Sequence, residues 1–190
     1  MKMVERSEIL DYLTYEEQRD AVRAAAMRVK DARRVHVGAQ LTFLFENHET
    51  IRYQVLEMVR VERMVKEAEI RHEIDTYNEL LGQGGDLGCT LLIEIDDPAA
   101  RERLLARWRA LPRHLYAKLE DGTKVRAAYD ERQVGEARLS SVQYLKFPVG
   151  GRVPVALGCD LADPEADLEA QLSGPQRAAL AEDLGTSLRQ

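Results

Sequence analysis

The sequence has little that would supply a disulfide, a cofactor site or a membrane anchor. Its two cysteines, Cys89 and Cys159, lie 70 positions apart. Neither belongs to a CxxC pair, which excludes a zinc ribbon or a thioredoxin-type site. No run of about 18 apolar residues is present to span a membrane, and the charged N-terminus lacks the apolar segment of a secretory signal. We expect a cytoplasmic protein with buried, unreactive thiols, no cofactor and no membrane partner.

Charge is present in both signs but is unevenly placed along the chain. The 190 residues include 27 Lys and Arg against 33 Asp and Glu, a net charge of −6. Residues 19–34 and 101–113 each carry +4, whereas residues 160–190 carry −5. We expect the two basic stretches to be solvated helix faces that the acidic C-terminal region neutralises. An anion- or RNA-binding protein is an alternative, disfavoured because no nucleic-acid motif accompanies the arginines.

Hydrophobic periodicity predicts an α+β protein. Helical spacing covers 11–31, with Thr14 as the expected N-cap and Glu17 completing a capping box. It also covers 49–81, where we expect one long helix with a break near 71–75 because 30 residues exceeds the usual length. A further helix is expected over 98–110. Alternating or apolar runs predict strands at 34–37, 41–45, 90–95, 114–119, 124–129, 140–147 and 153–159.

This order of elements indicates one mostly antiparallel sheet of about six strands, covered on one face by the long helix, with helical N- and C-terminal segments. The expected domains are a single α+β domain over 1–160 and an acidic helical tail over 161–190. The tail contains Pro164 and Pro175, which predicts either two short helices or one helix and a loose end. Whether the chain forms a homo-oligomer stays open.

The first half of the long helix concentrates polar residues that can form a buried network or line a pocket. They are Gln54, Glu57, Arg60, Glu62 and Arg63. Glu57 and Arg60 are three residues apart and can pair. A helix packed on a sheet buries part of such a set, and its buried charges must then be satisfied by each other. These residues are the candidate binding or network positions, and no catalytic residue is predicted.

Two further features are candidates for a site. Glu69 and His72 form an ExxH pair on one helix face, which could contribute to a single metal site together with His36 or His48. A surface acid–base pair is the simpler interpretation, because one ExxH does not supply a di-iron site. Trp108 lies on the second arginine-rich helix, either as a core anchor or, if it is exposed, as part of a partner surface.

Five segments together resemble a bacterial family of proteins with a domain of unknown function, DUF3501. They are RVHVG at 34–38, TFLFE at 42–46, TIRYQVLEMVRVER at 50–63, EIDTYNEL at 73–80 and SSVQYLKF at 140–147. The resemblance covers about residues 5–160, and the segment in the long helix is its most specific part. Members tend to be encoded beside rubrerythrin and an iron–sulfur oxidoreductase, which implies a role in peroxide defence or electron transfer. The family implies no catalytic residues.

These observations together favour an accessory or binding protein of a rubrerythrin-linked redox or oxidative-stress system. Rubrerythrin or an iron–sulfur oxidoreductase is then the expected partner, by resemblance. The alternative is a mononuclear metal-dependent enzyme that uses Glu69 and His72. Closed pairing within the polar set of the long helix would favour the binding protein, whereas an open pocket would favour the enzyme.

Overall fold

The computed structural model describes residues 1–186 and contains six helices and nine strands. The helices are α1 Tyr12–Asp31, α2 His48–Val61, α3 Glu67–Asn78, α4 Pro98–Arg107, α5 Leu111–His114 and α6 Gly174–Leu184. The strands are β1 Arg34–Val37, β2 Leu41–Phe45, β3 Leu87–Ile93, β4 Leu115–Lys118, β5 Lys124–Arg126, β6 Ala128–Tyr129, β7 Val142–Phe147, β8 Ala156–Cys159 and β9 Leu168–Gln171. The predicted α+β class is confirmed.

The strands form two antiparallel sheets rather than one. The first has the order β1-β2-β3-β7-β6, and the second has the order β5-β4-β8-β9. The two sheets separate directly after β5, because β5 pairs with β4 while β6 pairs with β7. The prediction of about six strands is roughly consistent with the nine observed. Residues 124–129 form two strands instead of one and β9 was not expected, because neither feature carries a distinct periodicity.

The main apolar core forms where the inner faces of both sheets meet α4 and α6. Phe43, Phe45 and Phe147 lie at its centre, and the ring centroid of Phe147 is 6.4 and 6.1 Å from the centroids of the other two. The strand β7 shows how the sequence directs this packing. Its residues alternate between exposed and buried, so Leu145 and Phe147 face the core while Tyr144 and Lys146 face away.

A second apolar cluster holds α1, α2, α3 and the N-terminal residues 1–11 together; we call these elements the helical unit. Tyr15, Ile51, Leu56 and Ile74 are among its buried members. The backbone N–H of Val4 donates to the side-chain oxygen of Asn78 at 2.9 Å, and the Val4 carbonyl accepts a hydrogen bond from the side-chain amide nitrogen of Asn78 at 3.0 Å. The N-terminal segment is therefore fastened to the end of α3.

The long predicted helix is interrupted by residues 62–66, not near 71–75. Arg63 adopts φ 49°, and the Met64 N–H donates to the Val59 carbonyl at 3.0 Å, as in a Schellman-type helix end. Glycine usually occupies such a position, so the sequence carries no signal for the break. Within α3, Glu67 and Arg71 are four residues apart and pair at 2.8 Å.

The start of α1 also differs from the prediction. Asp11, not Thr14, is the N-cap, and its side chain accepts hydrogen bonds from the Leu13 and Thr14 N–H groups at 3.1 and 3.0 Å. An aspartate is as good a cap as a threonine. It gains the position because the helix begins one turn earlier than the capping box indicated.

The acidic C-terminal segment contributes a strand as well as a helix. Residues of β9 pair with β8 along four positions, and α6 follows with a capping box at Ser173. The helical prediction is therefore correct for α6 and wrong for β9. Residues 187–190, the end of the predicted acidic tail, lie outside the described part of the chain. Among residues 1–186, no helix is long and apolar enough to cross a membrane.

Candidate functional site

The carboxylate of Glu57 on α2 accepts hydrogen bonds from three side chains, two on α1 and one on α2. The Tyr15 hydroxyl donates to Glu57 Oε1 at 2.6 Å. The Arg19 guanidinium donates to both carboxylate oxygens, at 2.8 and 3.0 Å, and Arg60 Nη2 donates to Oε2 at 3.2 Å. We call these four residues the Glu57 network. The geometry is that of a bidentate arginine–carboxylate pair with two additional donors.

The electrostatics of this network keep Glu57 ionised and Tyr15 protonated near neutral pH. Burial of the Glu57 carboxyl would raise its pKa, but hydrogen bonds from Arg19, Tyr15 and Arg60 outweigh this effect and lower the pKa to about 2. Burial raises the pKa of Tyr15, and the hydrogen bond to Glu57 raises it further. Near pH 7 the carboxylate therefore holds no proton to donate and the phenol keeps its own, so the network stabilises helix packing rather than transferring protons.

Two of the five predicted residues, Glu57 and Arg60, belong to this network. Gln54 reaches only the Tyr77 hydroxyl, at 3.5 Å. Glu62 and Arg63 are exposed at the break between α2 and α3. The partners on α1, Tyr15 and Arg19, were missed because they lie 42 and 38 positions away; their i,i+4 spacing on one helix face was the available signal.

An open groove lies between the later part of α1 and the start of α2. Its volume is about 300 Å³, and it is lined by Ala21, Val22, Ala25, Ala26, Val29, Glu49, Arg52 and Tyr53. Tyr53 is buried, its hydroxyl accepts a hydrogen bond from Arg23 at 3.0 Å, and Lys30 Nζ lies 5.1 Å from its ring centroid. Burial lowers the pKa of Lys30. Apolar side chains of α1 make up most of the lining, and Glu49 and Arg52 of α2 add charge to it.

The candidate metal ligands are not brought together. Glu69 pairs with Lys66 at 2.8 Å, and His72 is exposed on α3. His36 contacts the Thr42 hydroxyl at 2.9 Å, and His48 contacts Glu8 and Glu49, each at 3.1 Å. Over residues 1–186, no three His, Cys, Asp or Glu side chains form a group that could hold a metal ion.

Trp108 is a core residue and not part of a partner surface. It has no exposed surface, and its indole N–H donates to Asp163 Oδ2 at 3.0 Å. Arg107, the preceding residue, pairs with Asp163 at 2.6 Å and with Glu165 at 2.7 Å. The acidic segment therefore covers the end of α4 and gives the buried indole its hydrogen-bond partner.

The acidic segment also pairs with one residue of the first basic stretch. Arg33 donates to both carboxylate oxygens of Asp183, at 2.7 and 2.9 Å, and both side chains are almost fully buried. A buried pair of this kind requires a well-formed geometry, because either charge alone would be poorly solvated.

The cysteines are buried as well. Burial raises the pKa of Cys159 to about 11 and that of Cys89 well above its usual value, so both stay protonated thiols.

The outer face of the second sheet carries an ionic cluster that the sequence did not indicate. Tyr116 lies across Gly158, donates to Glu169 at 2.9 Å and has Lys124 Nζ 4.0 Å from its ring centroid. Arg126 donates to both oxygens of Asp160, at 2.7 and 2.8 Å, and holds the pKa of that carboxyl well below its usual range. These charged side chains pair with each other and cover this face of the second sheet.

Comparison with known proteins agrees with the fold and identifies the family. A crystal structure from Burkholderia pseudomallei, described as a novel protein of unknown function, matches with a TM-score of 0.86 and 29% sequence identity, over 96% of this chain and 99% of that one. Among curated proteins, no match was found. The family model described as protein of unknown function (DUF3501) matches residues 3–184, so the likeness extends beyond residue 160 into the acidic segment. The chain belongs to the DUF3501 family.

Proposed function

We propose that this protein acts in the cytoplasm by binding a protein partner, as an accessory component of a rubrerythrin-linked redox or oxidative-stress system. The observation that carries the proposal is that the polar side chains of the Glu57 network bind one another. Tyr15, Arg19 and Arg60 all direct hydrogen bonds to the Glu57 carboxylate, at 2.6–3.2 Å. The choice of rubrerythrin or an iron–sulfur oxidoreductase as partner rests on the family resemblance.

The surface proposed for the partner is the connection between α2 and α3, which we call the junction surface: Val61, Glu62, Arg63, Val65 and Lys66. Val61 is 63% exposed and Val65 is 74% exposed, although Met64 between them is buried in the helical unit. Two exposed valines with charged neighbours resemble the apolar centre and polar rim of a protein interface. The two valines lie on either side of Arg63, whose φ is 49°.

Glu62 and Arg63, two of the residues singled out from the sequence, then act as rim contacts. Glu57 and Arg60 serve a different purpose, because they hold α1 against the helix that ends at the junction surface. Burying a valine side chain contributes about 1.5 kcal/mol or more, so the two valines together contribute about 3 kcal/mol to the complex. This corresponds to roughly a 100-fold change in Kd.

The test is a binding measurement with purified partners in both redox states. The wild-type protein is immobilised and titrated with rubrerythrin, then with the iron–sulfur oxidoreductase, by biolayer interferometry. We expect binding to one of them, and we expect the Val61→Lys/Val65→Asp variant to weaken it about 100-fold. The matched control, Ala99→Asp/Ala106→Lys on the exposed face of α4, carries the same charges and should bind as the wild type does.

Two results would contradict the proposal. One is the absence of binding to either partner in either redox state. The other is equal loss of affinity in the junction variant and in the control, since that would indicate a general charge effect.

A further inference from the structure

The exposed face of α1 has a charge pattern that complements itself. Glu17, Ala21, Ala24 and Arg28 follow at steps of four, three and four residues, so they form one stripe along the helix. All four are exposed. Within residues 1–186, the side chains of Glu17 and Arg28 form neither an ion pair nor a hydrogen bond. The stripe therefore ends in an unpaired acid on one side and an unpaired base on the other.

A second copy of α1 running antiparallel satisfies both ends at once. If a two-fold axis passes between Ala21 and Ala24, Glu17 of each copy faces Arg28 of the other. The alanines of the two copies then meet at the centre. Small side chains allow helix axes to approach to about 8 Å. An interface in which the same patch is used twice is the usual form of a two-fold dimer.

The groove between α1 and α2 borders this stripe at Ala21. Ala21 and Ala25 form one border of its 300 Å³, and Arg52 and Glu49 of α2 form the other. Only Tyr15 and Ala26 of the 20 residues in α1 are buried within the chain. The face that carries the stripe is thus available for contact.

We propose that the stripe of α1 is a homodimer interface, in which two copies pair antiparallel through Glu17–Arg28 contacts across a centre of alanines. This dimer is independent of the junction surface and of the partner proposed above. The helix is about 30 Å long and about 10 Å wide, so its face covers roughly 300 Å² per copy. Since standard interfaces bury about 800 Å² per partner, we expect a weak, reversible dimer.

Charge reversal tests the pairing directly, by sedimentation equilibrium of the full chain. We expect the wild type to dimerise, and Glu17→Arg and Arg28→Glu to weaken dimerisation at least tenfold, because each places like charges at both ends. Mixed in equal amounts, the two single variants should form a heterodimer, and the doubly reversed variant should recover the wild-type Kd. Glu120→Arg, in an exposed turn, is the control for net charge.

Circular dichroism and thermal unfolding will establish that the variants fold, and the exposed positions lead us to expect unchanged values. A wild type that stays monomeric up to a concentration of about 1 mM would overturn the proposal. Dimerisation of both single variants at the wild-type Kd would overturn it as well, and so would a mixture that associates no better than its components.

Discussion

Replacing Glu57 by Gln removes the charge at the centre of the network and leaves the shape of the side chain nearly unchanged. The Glu57 side chain is 16% exposed, and its neighbours Tyr15 and Arg19 keep their positions on α1. The amide can accept fewer hydrogen bonds than the carboxylate and places an N–H group against a guanidinium. We therefore expect the variant to fold and to be less stable at neutral pH.

The magnitude follows from the pKa of the carboxyl. Its value falls from an ordinary 4.5 to about 2 in the folded protein. At about 1.4 kcal/mol for each tenfold change in proton affinity, the ionised carboxylate adds about 3 kcal/mol to the free energy of unfolding at pH 7. Because the folded value is the lower one, this stabilisation is complete above pH 4.5 and is lost as the pH falls towards 2. About 1 kcal/mol has gone at pH 4, and about 2 kcal/mol at pH 3.

Urea unfolding of the wild type and Glu57→Gln, at several pH values between 3 and 7, measures this effect. The difference in unfolding free energy should be about 3 kcal/mol at pH 7 and about 1 kcal/mol at pH 3. Glu16→Gln is the matched control, because Glu16 is 60% exposed and 3.7 Å from Arg60, and we expect a change below about 0.5 kcal/mol. A difference for Glu57→Gln that does not vary with pH would refute the reasoning.

Three other substitutions test separate parts of the structure by the same unfolding assay. Arg63→Gly should stabilise the protein by about 1 kcal/mol, because φ 49° is unfavourable for a residue with a Cβ; a loss of stability would contradict the helix end described above. Gly88→Ala should destabilise by about 3 kcal/mol, because a Cβ would lie 1.8 Å from the Leu80 carbonyl oxygen, and a neutral effect would speak against that contact. Asp183→Asn should remove about 3–5 kcal/mol by leaving the Arg33 guanidinium buried without its partner; unchanged stability would mean that α6 does not hold the fold.

Local patterns in the sequence identified most of the individual elements. The alternation of 142–147 and the helical spacing of 11–31 both correspond to observed elements, since each is set by residues close in the chain. The strand β9 reads LEAQ, which has helical preference. It is a strand because β8 offers it an unpaired edge. The break at Arg63 escaped prediction for a related reason: packing on both sides imposes a conformation that its own side chain disfavours.

The candidate site also contains residues that the sequence revealed and residues that it did not. Glu57 and Arg60 were recognised because they are three residues apart on one helix. Tyr15 and Arg19 were not, because only the antiparallel arrangement of α1 and α2 brings them to the carboxylate. Sequence spacing reveals contacts within a helix, whereas contacts between helices depend on a topology that one sequence does not show.

The central claim is that the Glu57 network holds the helices together while the junction surface binds the partner. The most direct test compares the Kd for rubrerythrin, or for the iron–sulfur oxidoreductase, of Glu57→Gln and of Val61→Lys/Val65→Asp, at a temperature where both variants are folded. The account predicts that Glu57→Gln binds within about threefold of the wild type and that the junction variant binds about 100-fold more weakly. The reverse pattern, with binding lost in Glu57→Gln and kept in the junction variant, would contradict it.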